Sequence, residues 1–239
     1  MASLQGPVIL ITGGSSGIGA ATAERFALNG WQVVATARSA EDLESLAVRI
    51  TEADGKIETV AMDVTDLEAT QALAEQIKRR YGQLDCCFVN AGVYRTSTIL
   101  DCTPDEWESM VRTNLTGAFY TIQSMILLVR SAPGIFVLNS SVAALKGYAH
   151  NGAYGASKWG LAGLGDTLRR EEAAHGVRVS VLYPGPVATP IWAKRDGAAP
   201  DPETIVPASE IASLVWNIVT ADPRVQVDDV TVTPTGYLR

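Results

Sequence analysis

Apolar positions along this chain follow two alternating rhythms. Short runs rich in aliphatic and β-branched residues at 8–12, 31–35, 57–62, 86–89, 135–138, 178–183 and 225–232 predict strands. The stretches between them carry apolar residues at helical spacing and predict helices over 20–29, 41–52, 67–81, 104–130, 152–174 and 208–219. Local punctuation agrees with this division. Gly30 closes the first helix, and Thr103-Pro-Asp-Glu106 has the spacing of a capping box with proline at the first helical position. Asn114 and Gly117 interrupt the long apolar stretch that follows. Strands alternating with helices of ten or more residues require crossover connections. The expected fold is therefore α/β: a doubly wound parallel sheet of about seven strands with helices on both faces, forming one domain over 1–239. Residues 184–207 hold six prolines and little periodicity, so they read as a loop that covers a site as a lid.

Composition narrows the function without changing the fold. A chain of 239 residues with 47% hydrophobic and 19% charged residues has enough apolar material for a sizeable core. Its net charge of −7 argues against nucleic acid or an anionic membrane as partner and favours a small molecule. The first residues lack the basic start and apolar run of a signal peptide, and no apolar stretch is long enough to cross a bilayer, so a cytoplasmic location is expected. Cys86, Cys87 and Cys102 have no C-x-x-C spacing and read as small hydrophobes. His150 and His175 are too isolated to suggest a metal site.

The candidate chemistry begins where the first strand ends. Gly13, Gly17 and Gly19 lie in a strand-to-helix turn, where glycines let backbone N–H groups at a helix N-terminus approach a pyrophosphate. After the second strand the chain reads Thr36-Ala-Arg-Ser39, with no carboxylate before Glu41. Arg38 offers a fork suited to a 2′-phosphate, which favours NADP(H) over NAD(H). Asp63, after the third strand, either accepts a hydrogen bond from an adenine amino group or caps the next helix. Asn90-Ala-Gly92 follows the fourth strand, where small residues leave room for a cofactor. Tyr154 and Lys158 stand four residues apart on one helical face. An adjacent ammonium is expected to lower the phenol pKa from about 10 toward working pH, as general acid/base chemistry requires.

Taken in order, Thr12-Gly-Gly-Ser-Ser-Gly-Ile-Gly19, Asp63-Val64, Asn90-Ala-Gly92, Asn114, Ser141, Tyr154-x-x-x-Lys158 and Pro184-Gly-Pro-Val-Ala-Thr189 resemble the short-chain dehydrogenase/reductase family in its compact single-domain branch. Ser141 precedes Tyr154 by thirteen residues, the interval that family uses. The resemblance implies an oxidoreductase passing hydride between NADP(H) and a ketone or aldehyde, with four catalytic residues. Tyr154 would be the general acid/base, Ser141 would orient the carbonyl oxygen, and Lys158 would tune Tyr154 and bind the nicotinamide ribose. Asn114 would hold a relay water. Cofactor contacts are implied for Gly13, Ser15, Ser16, Gly17, Ile18, Gly19, Arg38, Ser39, Asp63, Val64, Asn90, Ala91, Gly92, Tyr154, Lys158, Pro184 and Gly185. Val187 and Thr189 would fix the carboxamide.

Ser16 stands where many NADP-preferring relatives carry a basic residue, leaving the 2′-phosphate to Arg38 and Ser39. The C-terminal stretch lacks the glycine-rich finish of 3-oxoacyl-thioester reductases. Tyr94, Leu145, Tyr148, Tyr183 and Trp192 follow motif positions and suggest an aromatic-lined substrate pocket. The resemblance also implies a homodimer or homotetramer paired through helices 104–130 and 152–174. Competing readings are a dinucleotide sensor or scaffold without turnover, and an NAD-dependent dehydrogenase of polyol or steroid-like alcohols.

Overall fold

The apolar runs become strands, buried on both faces at the centre of the sheet and partly exposed at its two edges. The computed structural model describes residues 6–194, 201 and 204–237. Its strands are β1 (Val8–Thr12), β2 (Gln32–Ala37), β3 (Lys56–Ala61), β4 (Cys86–Val89), β5 (Ile135–Asn139), β6 (Arg178–Pro184), β7 (Val187–Ala188), β8 (Val206–Pro207) and β9 (Asp229–Val232). Seven of them form one sheet in the order β3-β2-β1-β4-β5-β6-β9, with every neighbouring pair parallel.

Strand alternation divides the core in two. In β1, Val8 and Leu10 point into one cluster while Ile9 and Ile11 point into the other; in β4, Cys87 and Val89 oppose Cys86 and Phe88 in the same way. The first cluster is covered by α3 (Leu67–Tyr81), α5 (Gly117–Ser131) and α6 (Gly152–Glu172). The second lies under α1 (Gly17–Ala27), α2 (Ala40–Glu52) and α7 (Ala208–Val219). Burial pushes the Cys86 and Cys87 thiols up, which keeps them protonated as small apolar side chains.

Strand order reverses between β1 and β4, because the chain builds β2 and β3 on one side before crossing back. The crevice at the C-terminal ends of these strands is where such sheets bind ligands.

Three segments differ from their expected form. Helix α1 starts at Gly17, inside the glycine turn, three residues before the apolar spacing begins. The 104–130 stretch divides into α4 (Pro104–Val111), a π-helical turn at Arg112–Thr116, and α5. The wide turn carries Asn114 fully buried. The expected 184–207 loop contains β7, a short helix at Pro190–Lys194 and β8, and β7 and β8 pair with each other. Residues 195–200, 202 and 203 of the expected lid lie outside the described residues. Among the described residues, no helix is long and apolar enough to cross a membrane. Exposed apolar side chains on α4, α5 and α6 include Trp107, Phe119, Leu127 and Trp159.

Candidate active site

A cavity of about 560 Å³ opens along the strand ends. The glycine turn forms its floor. Gly13 and Gly17 hold φ of +64° and +53°, and a Cβ on Gly13 would lie 2.8 Å from the Cα of Ala91. Gly19 is tighter still, because a Cβ there would sit 2.1 Å from the Gly13 carbonyl oxygen. Asn90 fastens the turn from β4, its Nδ2 donating to the carbonyls of Thr12 (2.9 Å) and Gly13 (3.1 Å). The Thr12 hydroxyl in turn accepts from the Asn90 and Ala91 amides. Side chains cap α2, α3 and α4 through Ser39, Asp66 and Thr103, but Ser16 makes no such bond to α1. The N-terminus of α1 therefore presents backbone donors to an anion. Asp66 rather than Asp63 caps α3; Asp63 accepts from the Thr65 amide (2.9 Å) and lines the cavity.

The reactive side chains meet at the ends of β5 and α6. Ser141, in extended backbone with φ −168°, starts a short 3-10 turn at Val142–Ala144; its hydroxyl donates to the Pro184 carbonyl (3.5 Å), accepts from the Ala143 amide (3.2 Å) and pulls the pKa of the neighbouring Tyr154 phenol down. Lys158 is 4% exposed, and its ammonium donates to the Asn139 carbonyl at 2.7 Å. Asn139 Nδ2 donates to Asn90 Oδ1 (2.9 Å), so a polar chain runs from the glycine turn through Asn90 and Asn139 to Lys158. Asn139 Oδ1 is buried without a hydrogen-bond partner. Asn114 lies beneath this layer, bridging the Val93 amide (2.8 Å) and carbonyl (3.0 Å) and donating to the Ser157 hydroxyl (3.0 Å). A Cβ on Gly92 would be 3.3 Å from Asn114 Oδ1 and 3.6 Å from Lys158 Nζ, so the missing side chain leaves a small gap bounded by both.

The expected electrostatics need correction. Burial pushes Tyr154 up to about 12, with the Ser141 hydroxyl pulling down and the neighbouring Tyr94 pushing up. Lys158 does not overcome that desolvation. Its Nζ stands 5.8 Å from the Tyr154 ring centroid, and burial brings its own pKa down to about 8.

Most residues singled out in the sequence converge on this cavity. Gly13, Ser15, Ser16, Gly17, Ile18, Arg38, Ser39, Asp63, Val64, Asn90, Ala91 and Gly92 line one part of it, and Ser141, Tyr154, Lys158, Pro184, Gly185, Val187 and Thr189 another. Tyr94, Tyr148 and Trp192 also face it. Gly19 and Asn114 support the wall from behind.

Two of the substrate candidates are not among the residues lining the cavity. Leu145 is 48% exposed at the end of the 3-10 turn. Tyr183 shares its strand face with Val179 and Val181, so its ring joins the core and its hydroxyl donates to Asp229 (3.3 Å). Sequence reasoning missed Asp42 in the first turn of α2, Asn139, Asn151 and Tyr237, all of which line the cavity. Asn139 adjoins the Ser140-Ser141 pair and was within reach of the motif; the tail that brings Tyr237 carries no local signal. Among the described residues, no three His, Cys, Asp or Glu side chains are grouped to hold a metal.

A sheet wound this way, with a glycine turn and a Ser-Tyr-Lys cluster at its strand ends, defines a nicotinamide-dependent oxidoreductase of the alcohol/carbonyl class. The chain belongs to the short-chain dehydrogenase family, whose model matches residues 7–199. An uncharacterized oxidoreductase of Listeria innocua is 33% identical over 251 residues, covering 98% of both chains. The alcohol dehydrogenase of the archaeon Thermococcus sibiricus, solved with 5-hydroxy-NADP, superposes with a TM-score of 0.88 at 25% identity over 95% of this chain and 96% of that one. Carveol dehydrogenase of Mycobacterium avium, solved with NAD, superposes at 0.86 with 26% identity over 96% of each chain.

Proposed function

We propose that the protein is an NADP(H)-dependent reductase that converts a ketone or aldehyde reversibly to an alcohol. The observation that carries this reading is the gathering of Ser141, Tyr154 and Lys158 in the same cavity that holds the glycine turn. The residues present suit a dinucleotide: uncapped donors at the start of α1, glycines with no room for a Cβ, and an unpartnered Asn139 oxygen at the cavity wall. When bound, NADPH supplies hydride to the carbonyl carbon, and NADP+ accepts it in the reverse direction.

The chain's own residues do the rest. Ser141 holds the carbonyl oxygen, and Tyr154 gives that oxygen its phenolic proton as negative charge develops there. A phenol pushed up to about 12 is fully protonated at neutral pH, so it is ready as an acid without help from the lysine. Lys158 acts later. As the proton leaves, phenolate charge builds 5.8 Å from its ammonium, measured to the ring centroid. At that range and an effective dielectric of about 20, the attraction is roughly 3 kcal/mol, enough for about a hundredfold in rate. The gap between Asn114 Oδ1 and Lys158 Nζ is the place for a water that returns the proton.

Arg38 is exposed at the end of β2 and lines the cavity beside Ser39, where a 2′-phosphate would need a cation. Arg38→Ala should weaken NADPH binding by about ten- to a hundredfold, the value of a lost charge-assisted contact, while NADH affinity stays within about threefold. Fluorescence titration of both cofactors reads this directly. Equal losses for the two would remove the NADP assignment.

A further inference from the structure

The cavity has two chemically different ends. Among the described residues, its charged lining consists of Arg38, Asp42 and Asp63, all at the ends of β2 and β3 or in the first turn of α2, and of Lys158 at the reactive centre, whose buried ammonium donates to the Asn139 carbonyl and stands 5.8 Å from the Tyr154 ring centroid. The other end carries no charged side chain among the described residues and is walled by Tyr94, Tyr148, Ile191, Trp192 and Tyr237. Tyr94 joins this wall to the reactive phenol, meeting Tyr154 edge-on at 4.8 Å and Trp192 at 5.4 Å between ring centroids.

Tyr237 reaches the wall from the segment after β9, and its place is built rather than incidental. The Gly185 amide donates to the Val232 carbonyl at 2.7 Å, and a Cβ on Gly185 would lie 3.2 Å from Thr233, so the segment packs on the turn after β6. Gly236, with φ +97°, then turns the chain back, and the Tyr237 amide donates to the Pro234 carbonyl at 3.1 Å. The Tyr237 hydroxyl donates to the Tyr148 hydroxyl at 2.8 Å, clasping the C-terminal segment to the loop before α6.

We infer that this end of the cavity selects neutral, mainly apolar carbonyl compounds, and that Tyr237, clasped to Tyr148, is the residue that sets the selection. The inference rests on the carbonyl-reductase reading of the Ser141–Tyr154 pair. Among the described residues, a carboxylate or phosphate carried into this end would lose its hydration and meet phenols, an indole, the Asn151 amide and aliphatic carbon, with no charged side chain in the wall. A flat apolar body would bury its area against rings that lose little entropy on ordering. Among the described residues, Lys146 is a cation beside this wall, its Nζ 5.3 Å from the Tyr148 ring centroid, but it is exposed and does not line the cavity. Burial, and next the hydrogen bond to Tyr148, push the Tyr237 phenol up and hold it in its neutral form.

The test is equilibrium binding of two probes, acetophenone and 4-acetylbenzoate, to protein saturated with oxidised cofactor, so that binding is read without turnover. The wild type should bind acetophenone at least about tenfold tighter than the carboxylate. Tyr237→Ala should weaken acetophenone by about tenfold and bring the two probes within about threefold of each other. Tyr237→Phe, which breaks the clasp but keeps the ring, should lose less than about fivefold. Cofactor affinity should be the same in all three proteins. No acetophenone binding by the wild type, equal binding of the two probes, or unchanged selectivity in Tyr237→Ala would each overturn the inference. A protein that binds acetophenone as described yet never reduces a ketone would instead overturn the reductase reading and leave the pocket assignment standing.

Discussion

Tyr154→Phe should lower ketone reduction by about a thousandfold or more while changing cofactor affinity less than about threefold. The phenolic hydroxyl supplies both the proton and one of two donors to the developing oxyanion; general acid catalysis contributes about 10²–10⁴-fold and a single oxyanion donor about 10²–10³-fold. The ring remains and keeps its edge contact with Tyr94, so the wall of the cavity is preserved. The pH dependence of the wild type separates the two titrating groups. Tyr154, pushed up to about 12, stays protonated across the working range, whereas Lys158, brought down to about 8, loses its charge as pH rises through that value. The reduction rate should therefore be level at neutral pH and fall above about pH 8, following loss of the ammonium that stabilises the departing phenolate. Steady-state kinetics at saturating NADPH from pH 6 to about 10 would show the limb. A profile flat to about pH 10, or near-normal turnover in Tyr154→Phe, would contradict these roles.

Gly19→Ala should be the most damaging single-methyl change in the cofactor end. A Cβ at this position would lie 2.1 Å from the Gly13 carbonyl oxygen and 2.8 Å from Asn90 Nδ2, both parts of the turn itself. Neither can swing aside, because Gly13 O and Thr12 O are both held by that same Asn90 amide. The strain must displace the start of α1, whose uncapped amides are the proposed phosphate donors. Overpacking of this kind costs about 1–3 kcal/mol, and a clash with fixed backbone belongs at or above the top of that range. For a chain of this size the melting midpoint should fall by roughly 5–10 °C, and cofactor affinity by more than about tenfold. Unaltered melting and unaltered affinity in this variant would mean that the turn is not a rigid cradle.

The layered architecture was legible because short apolar runs alternate with helices of ten or more residues, a pattern that calls for crossover connections and a covered parallel sheet. The glycine turn and Tyr154–Lys158 were legible for a similar reason: a strand-to-helix turn and a four-residue helical spacing are local facts. What depended on distant packing was not legible. Tyr183 was placed in the pocket although its parity with Val179 and Val181 already pointed it into the core. The balance between Tyr154 and Lys158 was misjudged because burial, which dominates both, has no local signature in sequence. The sequence leaves Asp63 between an adenine contact and a helix cap, although a helix predicted from Leu67 already puts Asp66, which does cap α3, at the capping position. Tyr237 enters the cavity only because the C-terminal segment packs on Gly185, a contact between residues far apart in the chain.

The direct test of hydride transfer to a carbonyl is the fate of a labelled hydrogen. Wild-type protein would be incubated with NADPH deuterated at nicotinamide C4, on each face in turn, and with a ketone that it turns over. Mass spectrometry of the alcohol should find deuterium on the carbinol carbon with one face of the label and not with the other. An alcohol formed without deuterium from either face, or cofactor bound tightly with no alcohol from any ketone, would contradict the account.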